Sequence, residues 1–159
     1  MPAEQLDAES AMAVARDRPY TQFNFLVDLG SGSDGPHAGF QEVSAISTEV
    51  SITEYRNGNS KENSPIKITG INQASDVTLK RGVIGALDLY AWLNDIRNGN
   101  QDALRTVTIR LLDEERSPVQ TWKLQRARIV KHTSGPFNAR GNDVAIEEIV
   151  LAYERLELE

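Results

Sequence analysis

The sequence predicts a mainly β domain with one flanking α-helix, and two patterns in the chain carry that prediction. Apolar and polar residues alternate over Tyr20–Leu29 and Ile46–Thr53, and Val107, Ile109 and Leu111 mark a further strand. This period of two is the signature of half-buried strands. Only one stretch, Ala86–Asn98, instead places its apolar residues Ala86, Leu89, Leu93 and Ile96 at helical spacing. No segment repeats at a fixed period.

In chain order, residues 1–18 are rich in Ala, Glu and Asp and hold too few large apolar groups to pack. They read as an N-terminal arm that is flexible or ordered by a partner, closed by Pro19. Residues 19–159 form the β domain. In the first strand Phe23, Phe25, Val27 and Leu29 share a face, and the turn-rich GSGSDGPHAG (30–39) follows. In the second, Ile46, Thr48, Val50 and Ile52 share a face. The next sixteen residues, RNGNSKENSPIKITGI (56–71), have no stable period and predict a long polar loop, a feature that is usually functional or ordered by a neighbour.

Asp76–Lys80 then predicts a short strand with Val77 and Leu79 inward, and the helix after it ends with Arg97 in its last turn and Gly99 as its stop. Val107, Ile109 and Leu111 mark one arm of a hairpin, DEERSP (113–118) its polar turn, and Val119–Val130 the other arm. The terminal segment Asp143–Leu158 fits two patterns. Ile146, Ile149, Val150 and Tyr153 suit a helical face, while Val144, Ile146, Val150, Ala152 and Leu156 suit one face of a strand. Its β-branched density favours a strand, expected to complete the sheet begun by Tyr20–Leu29.

Composition narrows the function. The chain has 159 residues, 25% charged and 40% hydrophobic, enough for a single soluble domain with a real core. With no cysteine, disulfides, thiolate metal sites and cysteine nucleophiles are excluded. A formal net charge of −6 disfavours sequence-independent nucleic-acid binding. The acidic N-terminus has no apolar run fit for a signal peptide, no segment is a membrane span or anchor, and synthesis in the cytoplasm is expected.

Motifs for chemistry are weak. Gly30, Gly32 and Gly35 match G-x-G-x-x-G after a strand, but the helix that would present its N-terminus to a pyrophosphate is replaced by another strand. His37 and His132 are the only imidazoles, and a small acidic enzyme would have to pair one of them with a carboxylate. The triplet Asp113, Glu114 and Glu115 reads as a solvated turn. Between Arg105 and Lys131 seven basic residues face three acidic ones, a local excess of +4, and from Arg140 to Glu159 two face six, an excess of −4. Such patches suit self-association, or meet each other within one fold.

Taken together in order and spacing, PYTQFNFLVDL (19–29), GFQEVSAISTEVSITEYRNGN (39–59), SDVTLKRGV (75–83), the Asp88–Gly99 helix, TVTIRLLDEERSPVQTWKL (106–124) and FNARGNDVAIEEIVLAYERLEL (137–158) resemble the tail tube proteins of contractile-tailed phages and extracellular contractile injection systems, which are related to the type VI secretion tube protein. The chain departs from that pattern at Ala127, Arg128 and Ile129, where an aromatic and a proline are expected, and in its longer acidic arm.

The resemblance implies a β-sandwich or half-barrel with one flanking helix, whose copies complete a continuous β-barrel in hexameric rings that stack into a conduit. It implies a structural virion or particle component without catalytic residue, metal or cofactor. The implied partners are further copies of the chain, a contractile sheath protein, baseplate and spike hub proteins, a tape-measure protein, and effector or DNA cargo in the lumen. A baseplate tube-initiator or secreted ring protein of the same fold is the alternative. The expected place is a phage virion or an injection particle released from the cell. Inter-subunit or inter-ring contacts are expected at Arg56, Asn57, Asn59, Lys61, Glu62, Ile66, Ile68 and Ile71, and arm contacts at Leu6, Met12 and Val14.

Overall fold

A computed structural model describes residues 12–30 and 39–159. Among these residues nine strands and one α-helix follow in the order β1 (Phe25–Asp28), β2 (Glu42–Val43), β3 (Thr48–Tyr55), β4 (Ile66–Ala74), β5 (Val77–Gly82), α1 (Asp88–Arg97), a 3₁₀ turn (Gln101–Ala103), β6 (Arg105–Leu112), β7 (Pro118–Ser134), β8 (Ile146–Ala152) and β9 (Arg155–Leu158).

The spine is β7, whose 17 residues are long enough to serve two halves of one sheet. Its first half pairs β6 on one edge, from Leu112↔Pro118 to Arg105↔Ala127. The opposite edge is covered in succession by β9 (Gln125↔Arg155 to Trp122↔Leu158) and by β8 (Arg128↔Ala152 to Ser134↔Glu147). The handover from β9 to β8 falls at Arg126, whose φ of 53° turns the strand. The full path is β1-β6-β7-β8-β5-β2, and every pairing is antiparallel. A separate two-stranded sheet, β3-β4, projects from it.

The core lies between the two halves of the sheet and α1. Val27 and Val107, Leu124 and Ile129, Val77 and Leu79, and Ile149 and Leu151 meet there with Leu89 and Trp92 of the helix. Buried Trp92 finds its polar partner locally, its indole Nε1–H donating to the Ala103 carbonyl at 2.7 Å. Gly99 ends the helix as expected, with φ at 81° and its N–H on the Ile96 carbonyl.

Several expectations are corrected. The first strand is four residues long, and Phe23 is 69% exposed instead of sharing the core with Val27. Residues 66–71, expected within the polar loop 56–71, are strand, so the loop proper is the tip at 56–65. The ambiguous C-terminal segment is β8 and β9, strands of the same sheet as β1 as expected, with β8 between β7 and β5. Its buried face is Glu147, Ile149 and Leu151, the opposite of the face picked out by alternation.

Residues 12–18 of the arm lie against their own chain. The Val14 N–H bonds to the Val119 carbonyl at 2.8 Å, covering β7 just beyond the end of β9. The charge patches at 105–131 and 140–159 meet inside one subunit, because they lie on paired strands. Arg126 and Arg128 share Glu154 at 2.8 and 3.1 Å, and Lys123 reaches Glu159 at 3.0 Å.

Candidate assembly surfaces

The β3-β4 hairpin is exposed on both faces, which no isolated sheet of this composition favours. Register places Tyr55 opposite Ile66 and Thr53 opposite Ile68 on one face, with Val50 and Ile52 on the other. All five apolar side chains are about half exposed or more, as is Ile71. The register slips between Val50 and Ile52, where Gly70 packs on Ser51 so closely that a Cβ would sit 2.7 Å from its Oγ. A glycine in the middle of a strand thus lets β4 lie close against Ser51 here.

Both ends of the hairpin are fastened. At its base the Tyr153 hydroxyl donates to the Ser47 carbonyl at 2.9 Å and the Ser47 and Ser75 hydroxyls meet at 2.8 Å. At its tip Arg56 folds back over the loop, donating from Nε to the Glu62 carbonyl at 3.0 Å and from Nη2 to the Ser60 carbonyl at 3.1 Å. The Tyr55 hydroxyl donates to Asn57 Oδ1 at 2.7 Å. Arg56 and Asn57 therefore shape the tip, while Asn59, Lys61, Ile66, Ile68 and Ile71 are presented to solvent.

The arm forms a second surface at the turn between β6 and β7. Arg16 grips Glu114 with both terminal nitrogens at 2.9 and 3.0 Å, donates to the Arg18 and Pro19 carbonyls, and lies 3.8 Å from the Tyr20 ring centroid. The hydrogen bonds from Arg16 hold the Glu114 carboxyl down to about 2. Met12 and the Val14 side chain stay exposed, and Leu6 lies outside the described residues. The acidic triplet builds a turn, with Asp113 Oδ1 accepting from the Glu115 and Ser117 N–H groups, both at 2.9 Å.

Sequence reasoning missed a buried charge cluster. Arg81 on β5, 1% exposed, donates from Nε to Glu147 on β8 and from Nη2 to Asp88 at 2.6 Å. Burial pushes the Arg81 guanidinium down, but its bonds with Asp88 and Glu147 outweigh this and hold it above its ordinary value. For Asp88, burial pushes upward and Arg81 outweighs it, leaving the carboxyl low. His132 adds Nε2 at 3.2 Å from the second Glu147 oxygen.

That pair is the histidine–carboxylate contact an enzyme would need. Glu147 is, however, already held by Arg81, and the adjoining 700 Å³ cavity is lined by residues 135–146 without His132. His37, Gly32 and Gly35 lie outside the described residues. Gly30 has φ at 76° and a Cβ there would stand 2.7 Å from the Thr106 carbonyl, so its glycine answers to packing. Among the described residues no helix is long and apolar enough to cross a membrane.

The chain is similar to several solved structures. A chain of the PVC extracellular contractile injection system sheath/tube terminator in its extended state is 29% identical, with TM-score 0.78, over 91% of this chain and 99% of that one. A chain of the anti-feeding prophage tube-terminating cap is 28% identical, with TM-score 0.78, over 94% and 96%. A chain of the PVC sheath–tube complex in its extended state is 27% identical, with TM-score 0.77, over 100% and 98%. No curated protein matches the chain. The model of the T4-like virus tail tube protein gp19 family matches residues 21–157, and the chain belongs to that family of tail tube proteins.

Proposed function

We propose that this tail tube subunit closes into hexameric rings through its exposed hairpin and sheet edges, and that the rings stack into the hollow tube of a contractile injection system or phage tail. The observation that carries the reading is the β3-β4 hairpin, a two-stranded sheet whose outer edges are unpaired among the described residues and whose apolar side chains are open on both faces. Alone in water such an element is an aggregation hazard, and closure with neighbouring copies removes its edges. Asn59, Lys61, Glu62, Ile66, Ile68 and Ile71 make the inter-subunit or inter-ring contacts, with Arg56 and Asn57 shaping the tip, and Leu6, Met12 and Val14 extend the arm towards a neighbour.

In this reading the tube wall is passive. A sheath outside it contracts, a baseplate and spike hub anchor its ends, and a tape-measure protein and effector or DNA cargo occupy the lumen. No side chain of the wall needs to act as acid, base or nucleophile. The subunit is made in the cytoplasm and leaves it within the assembled particle.

Electron microscopy of the purified chain is expected to show rings or tubes with a central channel. Strictly monomeric protein at high concentration would overturn the reading. The relatives from cap and terminator complexes favour a second one, a terminal or initiating ring of the same fold. Single rings that never stack would select it.

A further inference from the structure

The tetrapeptide Arg-Asn-Gly-Asn occurs twice, at 56–59 in the tip of the β3-β4 hairpin and at 97–100 where α1 ends. Both Asn57 and Asn98 are exposed, yet the two glycines stand in the chain for different reasons. Gly99 has φ at 81° and its N–H donates to the Ile96 carbonyl at 3.1 Å, with the Asn98 and Asn100 N–H groups bonded to the Asn94 and Asp95 carbonyls on either side. That glycine is the helix stop. Gly58 has no left-handed φ, and a Cβ on it would meet nothing within 4 Å. Neither backbone conformation nor packing asks for a glycine there. Among the described residues its N–H donates to no backbone carbonyl, while the turn around it is held by the Ser60 N–H on the Asn57 carbonyl at 3.1 Å. What the missing side chain provides is open access to the Gly58 nitrogen, a nucleophile placed next in the chain to the Asn57 side-chain amide.

The oxygen of that amide already has a donor, because the Tyr55 hydroxyl donates to Asn57 Oδ1 at 2.7 Å. We propose that Asn57 is a self-modification site, at which the Gly58 nitrogen attacks the side-chain amide and Tyr55 stabilises the oxyanion that forms. The Gly58 nitrogen gives its proton to hydroxide as its bond to Asn57 Cγ forms, and the C=O electron pair moves onto Oδ1. A hydroxyl donor 2.7 Å from that oxygen is at the distance that stabilises such an oxyanion. Collapse breaks the Cγ–Nδ2 bond, and Nδ2 takes a proton from water and leaves as ammonia. Water then opens the succinimide ring at either carbonyl, leaving aspartate or isoaspartate at position 57. Overall one water is consumed and one ammonia released, with no change of oxidation state. Residues 56–67, with Arg56, Lys61 and Lys67 against Glu62, go from a net of +2 to +1, and the isoaspartate product puts one more carbon into the main chain beside Tyr55. The hairpin tip thus changes charge and backbone length with time, with no enzyme acting on it. At Asn98 the same step waits for the Gly99 N–H to leave the Ile96 carbonyl.

Trypsin cuts after Arg56, Lys61, Arg97 and Arg105, so the peptides 57–61 and 98–105 report the two sites separately by mass spectrometry. The full chain is kept dispersed in mildly alkaline buffer and sampled over time. The mass change from amide to acid is expected at least about tenfold faster at Asn57 than at Asn98, because freeing the Gly99 N–H requires the helix end to open. Fragmentation of the first peptide is expected to place the change on Asn57 and not on Asn59. Tyr55→Phe keeps the exposed ring and should slow the reaction about tenfold, less than the loss in an enclosed site because water partly replaces the donor. A tip that is merely looser without the hydroxyl would react at the same rate or faster, and either result overturns the proposal. Gly58→Ala fits the open space at that position and should slow the reaction at least as much, with an unchanged circular dichroism spectrum. Equal rates at Asn57 and Asn98, or a change confined to Asn59, also overturn the proposal. None of these measurements depends on ring formation.

Discussion

Arg81 and Glu147 form an ion pair inside the sheet, the first 1% exposed at its side chain and the second 8%. They stand opposite each other in the register of β5 with β8, so the pair bridges two adjacent strands while Asp88 ties the same guanidinium to the start of α1. Sheet and helix are thus joined by one cation.

Removing Glu147 takes one of the two carboxylates from a buried guanidinium that keeps Asp88, so the cost is expected to be part of the about 3–5 kcal/mol of a fully broken buried pair. Glu147→Leu is expected to lower the urea midpoint of the dispersed subunit by that order. The double variant Arg81→Met with Glu147→Leu is expected to lose less than the two single variants together, because the two charges leave as a pair. A double-mutant cycle in urea checks this, and strict additivity would contradict it.

The Trp92 indole carries the next prediction. Trp92→Phe keeps an aromatic ring but leaves the Ala103 carbonyl without the donor that reaches it at 2.7 Å. A buried acceptor left unsatisfied costs about 1–3 kcal/mol, and the smaller ring adds a void. Thermal unfolding should show the loss, with the hairpin surface unaffected.

The pattern of the chain made the strands at 107–111 and 119–130, the inward Val77 and Leu79, and the helix with its Gly99 stop legible, because each has an amphipathic period. It misassigned the face of β8 because Glu147 occupies a core position, and its partner Arg81 is 66 residues away. It ran the polar loop into β4 because a strand exposed on both faces has no period to read, and the bulge at Gly70 breaks what alternation remains. The docking of the arm depends on Arg16 and Glu114, 98 residues apart, which no local pattern connects. At the candidate site the exposed apolar residues were visible, but the bracing role of Arg56 needed the fold.

Acid should free the arm. Glu114 is held at about 2 by its bonds from Arg16, below the ordinary carboxyl value of 4.5. A depressed carboxyl stabilises the docked arm fully above its unfolded value, and the contribution is lost as pH falls from about 4.5 through about 2. Limited proteolysis is expected to leave the bond after Arg16 protected at pH 7 and to expose it near pH 2 to an acid-active protease, or at pH 7 in Glu114→Gln. Equal protection of wild type and variant at pH 7 would contradict the assignment.

Gly70 separates stability from assembly. A methyl group there would meet the Ser51 Oγ at 2.7 Å, so that side chain must turn away, and the Ser51 carbonyl at 3.1 Å, so β3 must give by a few tenths of an ångström at the bulge. The hairpin contributes no residue to the central core apart from Ala74 at its base, so Gly70→Ala should leave the subunit's unfolding midpoint nearly unchanged, within about 0.5 kcal/mol. Rings and tubes should nevertheless be lost, because the row formed by Tyr55, Ile66 and Ile68 is displaced. Adding Ser51→Ala removes the nearest atom and should recover part of the assembly seen by electron microscopy. If Gly70→Ala assembles like the wild type, the hairpin is not the element that joins the subunits, and the edges of β1 and β2 must close the ring by other means.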